Sequence, residues 1–290
     1  MQRQVVWQHR LDAAPTIPRE LRAQAGYRFD RTRFRDLPND STPKILAVAT
    51  LVCIVCAVLV SSAAVLLRPI QERNALLQKQ RDILTVAGLY DPKADLTTQF
   101  KQVEATLIDL DTGMYVDNGD ALAFDVQRAV RNPEASSSIP SGDDLAKIHR
   151  RSNRMPVYVV RHGETIDTVI LPIYGYGLWS TMYGYVALDS TGEHVKAITF
   201  YDHAETPGLG AEIENLRWQA LWAGKRTFDE QGNVALSVSK GRPATGWEDY
   251  HVDAISGATL TSVGVHNMIR YWLGDQGFGP YLTRLRNSGA

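Results

Sequence analysis

The stretch of this 290-residue chain whose residue types could do chemistry is Asp253-Ala254-Ile255-Ser256-Gly257-Ala258-Thr259-Leu260-Thr261-Ser262. Four hydroxyls and an acid surround Gly257, just before residues whose apolar spacing predicts a helix over Ser262–Leu273. Two readings are open. In the first, Thr261 or Ser262 caps the helix and Gly257 supplies a turn. In the second, exposed hydroxyls and amide groups near a helix start receive a phosphate, either bound or attached. The string is not a P-loop, because no Gly-Lys-Ser/Thr closes it. Nor is it a nucleophile elbow, because Gly-x-Ser-x-Gly is missing.

Other chemistries find little support. No paired carboxylates and no nucleophile–histidine pattern point to bond making on a substrate. His203, His251 and His266 are scattered, have no carboxylate pattern around them, and read as surface or core histidines. The two cysteines, Cys53 and Cys56, lie in one apolar run, so neither a disulfide framework nor a cysteine metal centre is expected. With 31 Lys/Arg against 32 Asp/Glu, the chain offers no polycationic field for nucleic acid.

The elements that must hold the 253–262 string begin with a membrane anchor. Ile45 to Leu67 runs without a charge between Lys44 and Arg68. As a helix at 1.5 Å per residue it reaches about 34 Å, enough to cross a hydrocarbon core of about 30 Å. It lies too far from the N-terminus, and is too long, for a signal peptide. The small residues Ser61 to Ala64 would let another helix approach closely. Five basic residues in the twenty before the span, against four in the twenty after it, give a slight bias toward an inside N-terminus.

The predicted organisation is a tail over 1–44, a transmembrane helix over 45–67, a stalk helix over 68–90 that ends near Gly88, and a folded domain over 91–290. The tail holds nine basic and five acidic residues and suits a membrane surface or a partner. The remainder carries 22 basic and 27 acidic residues and is mildly acidic. Strands are predicted over Val103–Leu110, Met155–Val160, Thr168–Ile173, Met182–Leu188, Val195–Tyr201 and Val234–Ser239, with hairpin turns at His162–Glu164 and Ser190–Glu193. A loop is expected over Arg131–Asp144 and a short helix over Glu212–Leu221. Strands this close together favour an α+β domain with a largely antiparallel sheet.

Asp253-x-x-Ser256-Gly257-Ala258-Thr259 resembles the flavin-attachment signature of membrane-bound redox-pump FMN proteins. Further strings are similar to the C subunit of the sodium-translocating NADH:quinone oxidoreductases: Tyr176-Gly-Leu-Trp-Ser-Thr-Met-Tyr-Gly-Tyr185, Glu205-Thr-Pro-Gly-Leu-Gly-Ala-Glu-Ile213, Ser41–Lys44, Leu67–Gln71, Trp272–Asp275 and Phe278–Leu282. Together they cover about residues 41–286. The front of the chain is longer than the family pattern. The related G subunit of ion-translocating ferredoxin:NAD oxidoreductases shares the attachment signature and the proline–glycine loop, and is the alternative. A membrane-anchored domain without redox function is a third.

The resemblance implies FMN joined by a phosphoester to Thr259, with Asp253, Ser256, Gly257 and Ala258 read by a separate flavin transferase that draws on FAD. Such an external enzyme suits the residues, since nothing beside Thr259 in sequence activates its weakly nucleophilic hydroxyl. The resemblance also implies a loop near the flavin ring over Glu205, Thr206, Gly208 and Leu209. Trp179 either shields that ring, with Ser180 bonding to it, or belongs to the core, and Lys240 faces either the phosphate or the solvent. The resemblance further implies a component of a six-subunit bacterial inner-membrane complex, next to a flavin-bearing B subunit and iron–sulfur membrane subunits. Electrons would run from NADH to ubiquinone with sodium export, the flavin domain being periplasmic and the tail cytoplasmic. NADH itself would be oxidised on another subunit, and the isolated chain should show no turnover.

Overall fold

The structure is a computed structural model, and it describes residues 38–117 and 119–287. Nearly all of the expected N-terminal tail lies outside them. The chain divides into two compact units, with the boundary between Arg68 and Pro69.

Helix α1, Thr42–Val86, contains the whole charge-free run. The side chains from Ile45 to Leu67 are exposed, as suits a surface that meets lipid rather than protein. Pro69 lies inside the helix. The helix ends where its glycine requires. Gly88 has φ +71°, the Leu89 amide donates to Leu84 O (2.9 Å), and the Gly88 amide donates to Thr85 O (3.0 Å). These two bonds make a Schellman cap. Within the second unit, Ile83, Leu84 and Val86 are buried, so the end of the expected stalk helix packs into the domain's core.

The domain is built on six strands: β1 Val103–Asp109, β2 Tyr115–Val116, β5 Arg154–His162, β6 Thr165–Tyr176, β7 Thr181–Asp189 and β8 Val195–Asp202. They form one sheet in the order β2-β1-β5-β6-β7-β8, with every neighbouring pair antiparallel. Alternation along them feeds two cores. Val157, Val159, Val169, Leu171, Val186 and Leu188 face one side; Tyr158, Val160, Ile170, Tyr185 and Ala187 face the other. The second side is covered by the end of α1 and by helix α2, Leu96–Phe100. At a break in the β7–β8 register, Gly184 lets Thr199 O approach so closely that a Cβ would sit 2.3 Å from it.

The first side is covered by α5, Thr259–Leu273, and α6, Gly279–Asn287. Trp272 is fully buried and its indole donates to Tyr174 O at 2.6 Å, which fixes α5 against β6. Short elements fill the connections: α3 Val126–Arg131, α4 Leu216–Gln219, and the strand pairs β3 Ser136–Ser138 with β4 Arg150–Ser152 and β9 Ser237–Ser239 with β10 His251–Asp253.

Two expectations change. The 131–144 loop contains β3, a run of serines without alternation that is held by a distant partner strand. The 212–221 helix is broken into 3₁₀ turns around α4, with Asn215 accepting from the Arg217 amide at 2.9 Å at its start.

Lys79 belongs to a cavity of about 710 Å³ floored by tyrosines of β5 to β8. Its ammonium donates to Leu122 O (2.7 Å) and Phe124 O (3.4 Å), and burial pulls its pKa down to about 8. Between that value and the ordinary one near 10.5 the unfolded chain holds the extra proton, so folding stability should rise with pH across this window. Denaturant titrations at pH 7.5 and 9.5 should show the rise, and it should vanish in Lys79→Met. Trp272→Ala should cost about 3–5 kcal/mol in the same assay.

Candidate functional site

The site residues singled out by sequence meet at one end of the sheet, on three connections that Lys240, just after β9, joins from a fourth. The first joins β6 to β7. Gly177 to Ser180 make a tight turn closed by the Gly177 amide on Ser180 O at 2.8 Å. The Ser180 hydroxyl accepts from the Ala204 amide at 2.7 Å and donates to Thr181 O at 3.3 Å, so it ties this turn to the segment after β8.

The second connection follows β8. Thr206 O accepts from the Leu209 and Ala211 amides, both at 3.1 Å, and Gly208 turns the loop with φ +75°. Its anchor is Glu205, only 4% exposed. One carboxylate oxygen accepts from the Leu178 and Trp179 amides at 3.0 Å each; the other accepts from the Thr261 hydroxyl at 2.5 Å. A buried carboxylate is tolerated when it is met this fully by donors. The room for it comes from glycine: a Cβ on Gly177 would lie 2.5 Å from Glu205 Oε1, and one on Gly210 would lie 2.7 Å from Oε2. Trp179 is 63% exposed, with its indole donating to Thr206 Oγ1 at 3.1 Å.

The third connection is the 253–262 string. It leaves β10 at Asp253, turns at Gly257 with φ +79°, and enters α5 at Thr259, three residues earlier than predicted. Thr261 and Ser262 therefore lie within the helix and are 1% and 2% exposed. Thr261 serves Glu205. The Ser262 hydroxyl donates to Ala258 O (3.0 Å) and accepts from the Ile255 amide (3.0 Å), bracing the turn from inside. The N-cap position, Ala258, offers no side-chain cap. Amides of the first turn precede the first intrahelical bond, from Ser262 to Ala258 O. Ser256, Gly257 and Thr259 are exposed. Thr259, Ser256 and Gly257 line a pocket of about 290 Å³ with Lys240 and Ser239. Leu209 closes on Gly257 from the other side, 3.2 Å from where a Cβ would stand.

The histidines are better supported than their spacing indicated. His203 Nε2 lies 2.9 Å from Glu214 Oε1, and His251 Nε2 lies 3.1 Å from Asp253 Oδ1. Burial, then Arg270, lowers the pKa of His266, whose Nδ1 accepts from the Val238 amide at 3.2 Å. The His251–Asp253 pair was missed, although residues two apart share a face once 251–253 is a strand. The Glu205–Thr261 bond spans 56 positions and leaves no local signal.

Residues 177–274 match the model of the FMN-binding domain family. The chain is 48% identical over 255 residues to the C subunit of the Na(+)-translocating NADH-quinone reductase of Yersinia pestis, covering 86% of this chain and 94% of that one. The corresponding protein of Pseudomonas aeruginosa is 43% identical over 258 residues, covering 87% and 99%. The crystal structure of Shewanella oneidensis NqrC superposes with a TM-score of 0.68 at 36% identity, covering 75% of this chain and 99% of that one. That of the Parabacteroides distasonis C subunit gives 0.59 at 30% identity, covering 75% and 97%. The chain belongs to the C-subunit family of the Na(+)-translocating NADH-quinone reductases.

Glu205→Ala should destabilise the domain by about 2–4 kcal/mol, since it leaves two amides and a hydroxyl without their acceptor. Hydrogen exchange should locate the damage, with the Leu178 and Trp179 amides losing protection before the centre of the sheet does.

Proposed function

We propose that this chain is the electron-transferring C subunit of a sodium-pumping NADH:quinone oxidoreductase, and that it carries FMN as a phosphoester on Thr259. One contrast carries the attachment point. Of the hydroxyls at the start of α5, Thr261 and Ser262 are consumed inside the fold, whereas Thr259 faces outward into a pocket it shares with Lys240 and Ser256.

The residues present fit the group. Lys240 and the first-turn amides of α5 suit a phosphate. Trp179, Leu209 and Leu260 are large, exposed and apolar, and suit the face of a flavin ring. Glu205 and Thr206 keep that apolar surface in place, and Ser180 holds the turn that carries Trp179. Gly208 leaves open space at the loop tip. The bound flavin supplies transfer of single electrons between partner centres, and the protein supplies its position and shelter.

Attachment forms the Thr259 Oγ–phosphorus bond and breaks the anhydride of FAD. AMP departs, and the hydroxyl proton passes to a base on a flavin transferase that recognises Asp253, Ser256, Gly257 and Ala258. The working partners are the flavin-bearing B subunit, the iron–sulfur membrane subunits and membrane lipid. The flavin domain, residues 91–290 with the end of the stalk (68–90) packed into its core, sits on the periplasmic side of a bacterial inner membrane, with the span over 45–67 and the tail 1–44 in the cytoplasm. The slight excess of basic residues before the span supports this orientation.

In-gel flavin fluorescence of the denatured chain, expressed with and without a flavin transferase, tests the reading. The band should require the transferase, disappear in Thr259→Ala and persist in Thr261→Ser, which keeps the hydroxyl for Glu205. A dark band from the unaltered chain in the presence of transferase would overturn attachment at Thr259 and leave residues 253–262 as a bracing turn.

A further inference from the structure

The short parallel pair β9–β10 places Asp253 opposite Ser239 and carries a hydrogen-bonded string that the flavin site does not itself use. His251 and Asp253 project from the same face of β10. The imidazole is buried, its side chain 8% exposed, whereas the Asp253 side chain is 72% exposed. His251 Nε2 stands 3.1 Å from Asp253 Oδ1, and Nδ1 stands 3.3 Å from Ser239 Oγ. With the serine hydroxyl donating to Nδ1, the imidazole N–H donates to the carboxylate. The backbone on both sides of Asp253 is fixed as well. Its carbonyl accepts from the Trp218 indole at 2.8 Å, and the following amide donates to Ser239 O at 3.0 Å. One carboxylate oxygen is thus held from inside while the other stays open to solvent.

The string also sits between two pockets. Ser239 lines the pocket of Thr259, whereas His251 and Asp253 line a second one of about 460 Å³ that includes Lys225 and Arg242. An exposed aspartate ordinarily samples several rotamers, and a partner that needs one of them must meet the cost of ordering it. A buried histidine behind the carboxylate removes much of that cost in advance.

We propose that His251 is a positioning residue for cofactor loading. Backed by Ser239, it locks the Asp253 carboxylate in the orientation that the flavin transferase engages when it moves FMN from FAD to Thr259 Oγ with release of AMP. The inference rests on attachment at Thr259. It assigns His251 no contact with the flavin and no part in proton transfer to or from the hydroxyl.

The test is transferase-catalysed loading of the full chain in detergent with FAD and Mg²⁺. Initial rates of covalent flavin incorporation are measured against chain concentration, and the site of labelling is located by peptide mass. His251→Gln retains a donor that reaches Asp253; His251→Asn retains only the inner partner, Ser239. The expected result is KM for the chain raised about tenfold in His251→Asn, with kcat within about twofold, and KM largely restored in His251→Gln. In the Asp253→Ala background the two histidine variants should be indistinguishable, because the acceptor they differ in reaching is gone. Equal KM values for His251→Asn, His251→Gln and the unaltered chain overturn the inference, and so does equal impairment of the two variants in the presence of Asp253. An unaltered chain that takes up no flavin overturns the attachment reading, and this inference with it.

Discussion

The functional end of the domain depends on one buried carboxylate. Glu205 accepts hydrogen bonds from the Leu178 and Trp179 amides and from the Thr261 hydroxyl, and so joins three segments distant in sequence. Each donor offsets part of the large cost of taking a charge out of water, and only together do they make the position tolerable. The same requirement explains Gly177 and Gly210, at either of which a Cβ would press on the carboxylate. It also explains why Thr261 is unavailable for capping or modification. A residue that reads in sequence as part of a ring-binding loop is, in the fold, the support for the turn bearing Trp179 and for the first turn of α5.

That arrangement divides the labour among neighbouring hydroxyls of one string. Ser262 braces the turn between β10 and α5 from inside, Thr261 satisfies Glu205, and Thr259, the first residue of the helix, is left to solvent. Helical geometry makes the division possible. Successive residues are rotated by about 100°, so positions 259 and 261 face different surroundings although only one residue separates them. Of the exposed apolar side chains nearby, Trp179 and Leu209 are held by loops that are themselves closely hydrogen-bonded, and Leu260 by the first turn of α5.

Much of this was legible in the sequence. The five main strands, the hairpin turns and the membrane-length run follow from alternation, turn residues and the absence of charge, and they emerge within a few residues of their predicted limits. Thr259 and its flanking residues were singled out because their string is contiguous and resembles a flavin-attachment signature. What stayed hidden depends on tertiary partners. The serines of β3 form a strand only because β4 supplies the other half of the ladder. Helix α5 begins at Thr259 and not at Ser262 because the hydroxyls that looked like caps are bonded elsewhere. Spacing alone showed no carboxylate beside His203, and its partner, Glu214, arrives through a 3₁₀ turn.

The end of α1 has a practical bearing on how the domain can be separated from lipid. Ile83, Leu84 and Val86 are fully or almost fully buried against the sheet face that Tyr158 and Ile170 line, beside Phe100 of α2. A soluble fragment begun at residue 91 would therefore start with an open groove in place of three core side chains, and would be prone to associate through it. The place to cut is near Pro69, after the last lipid-facing leucine and before the helix starts to pack.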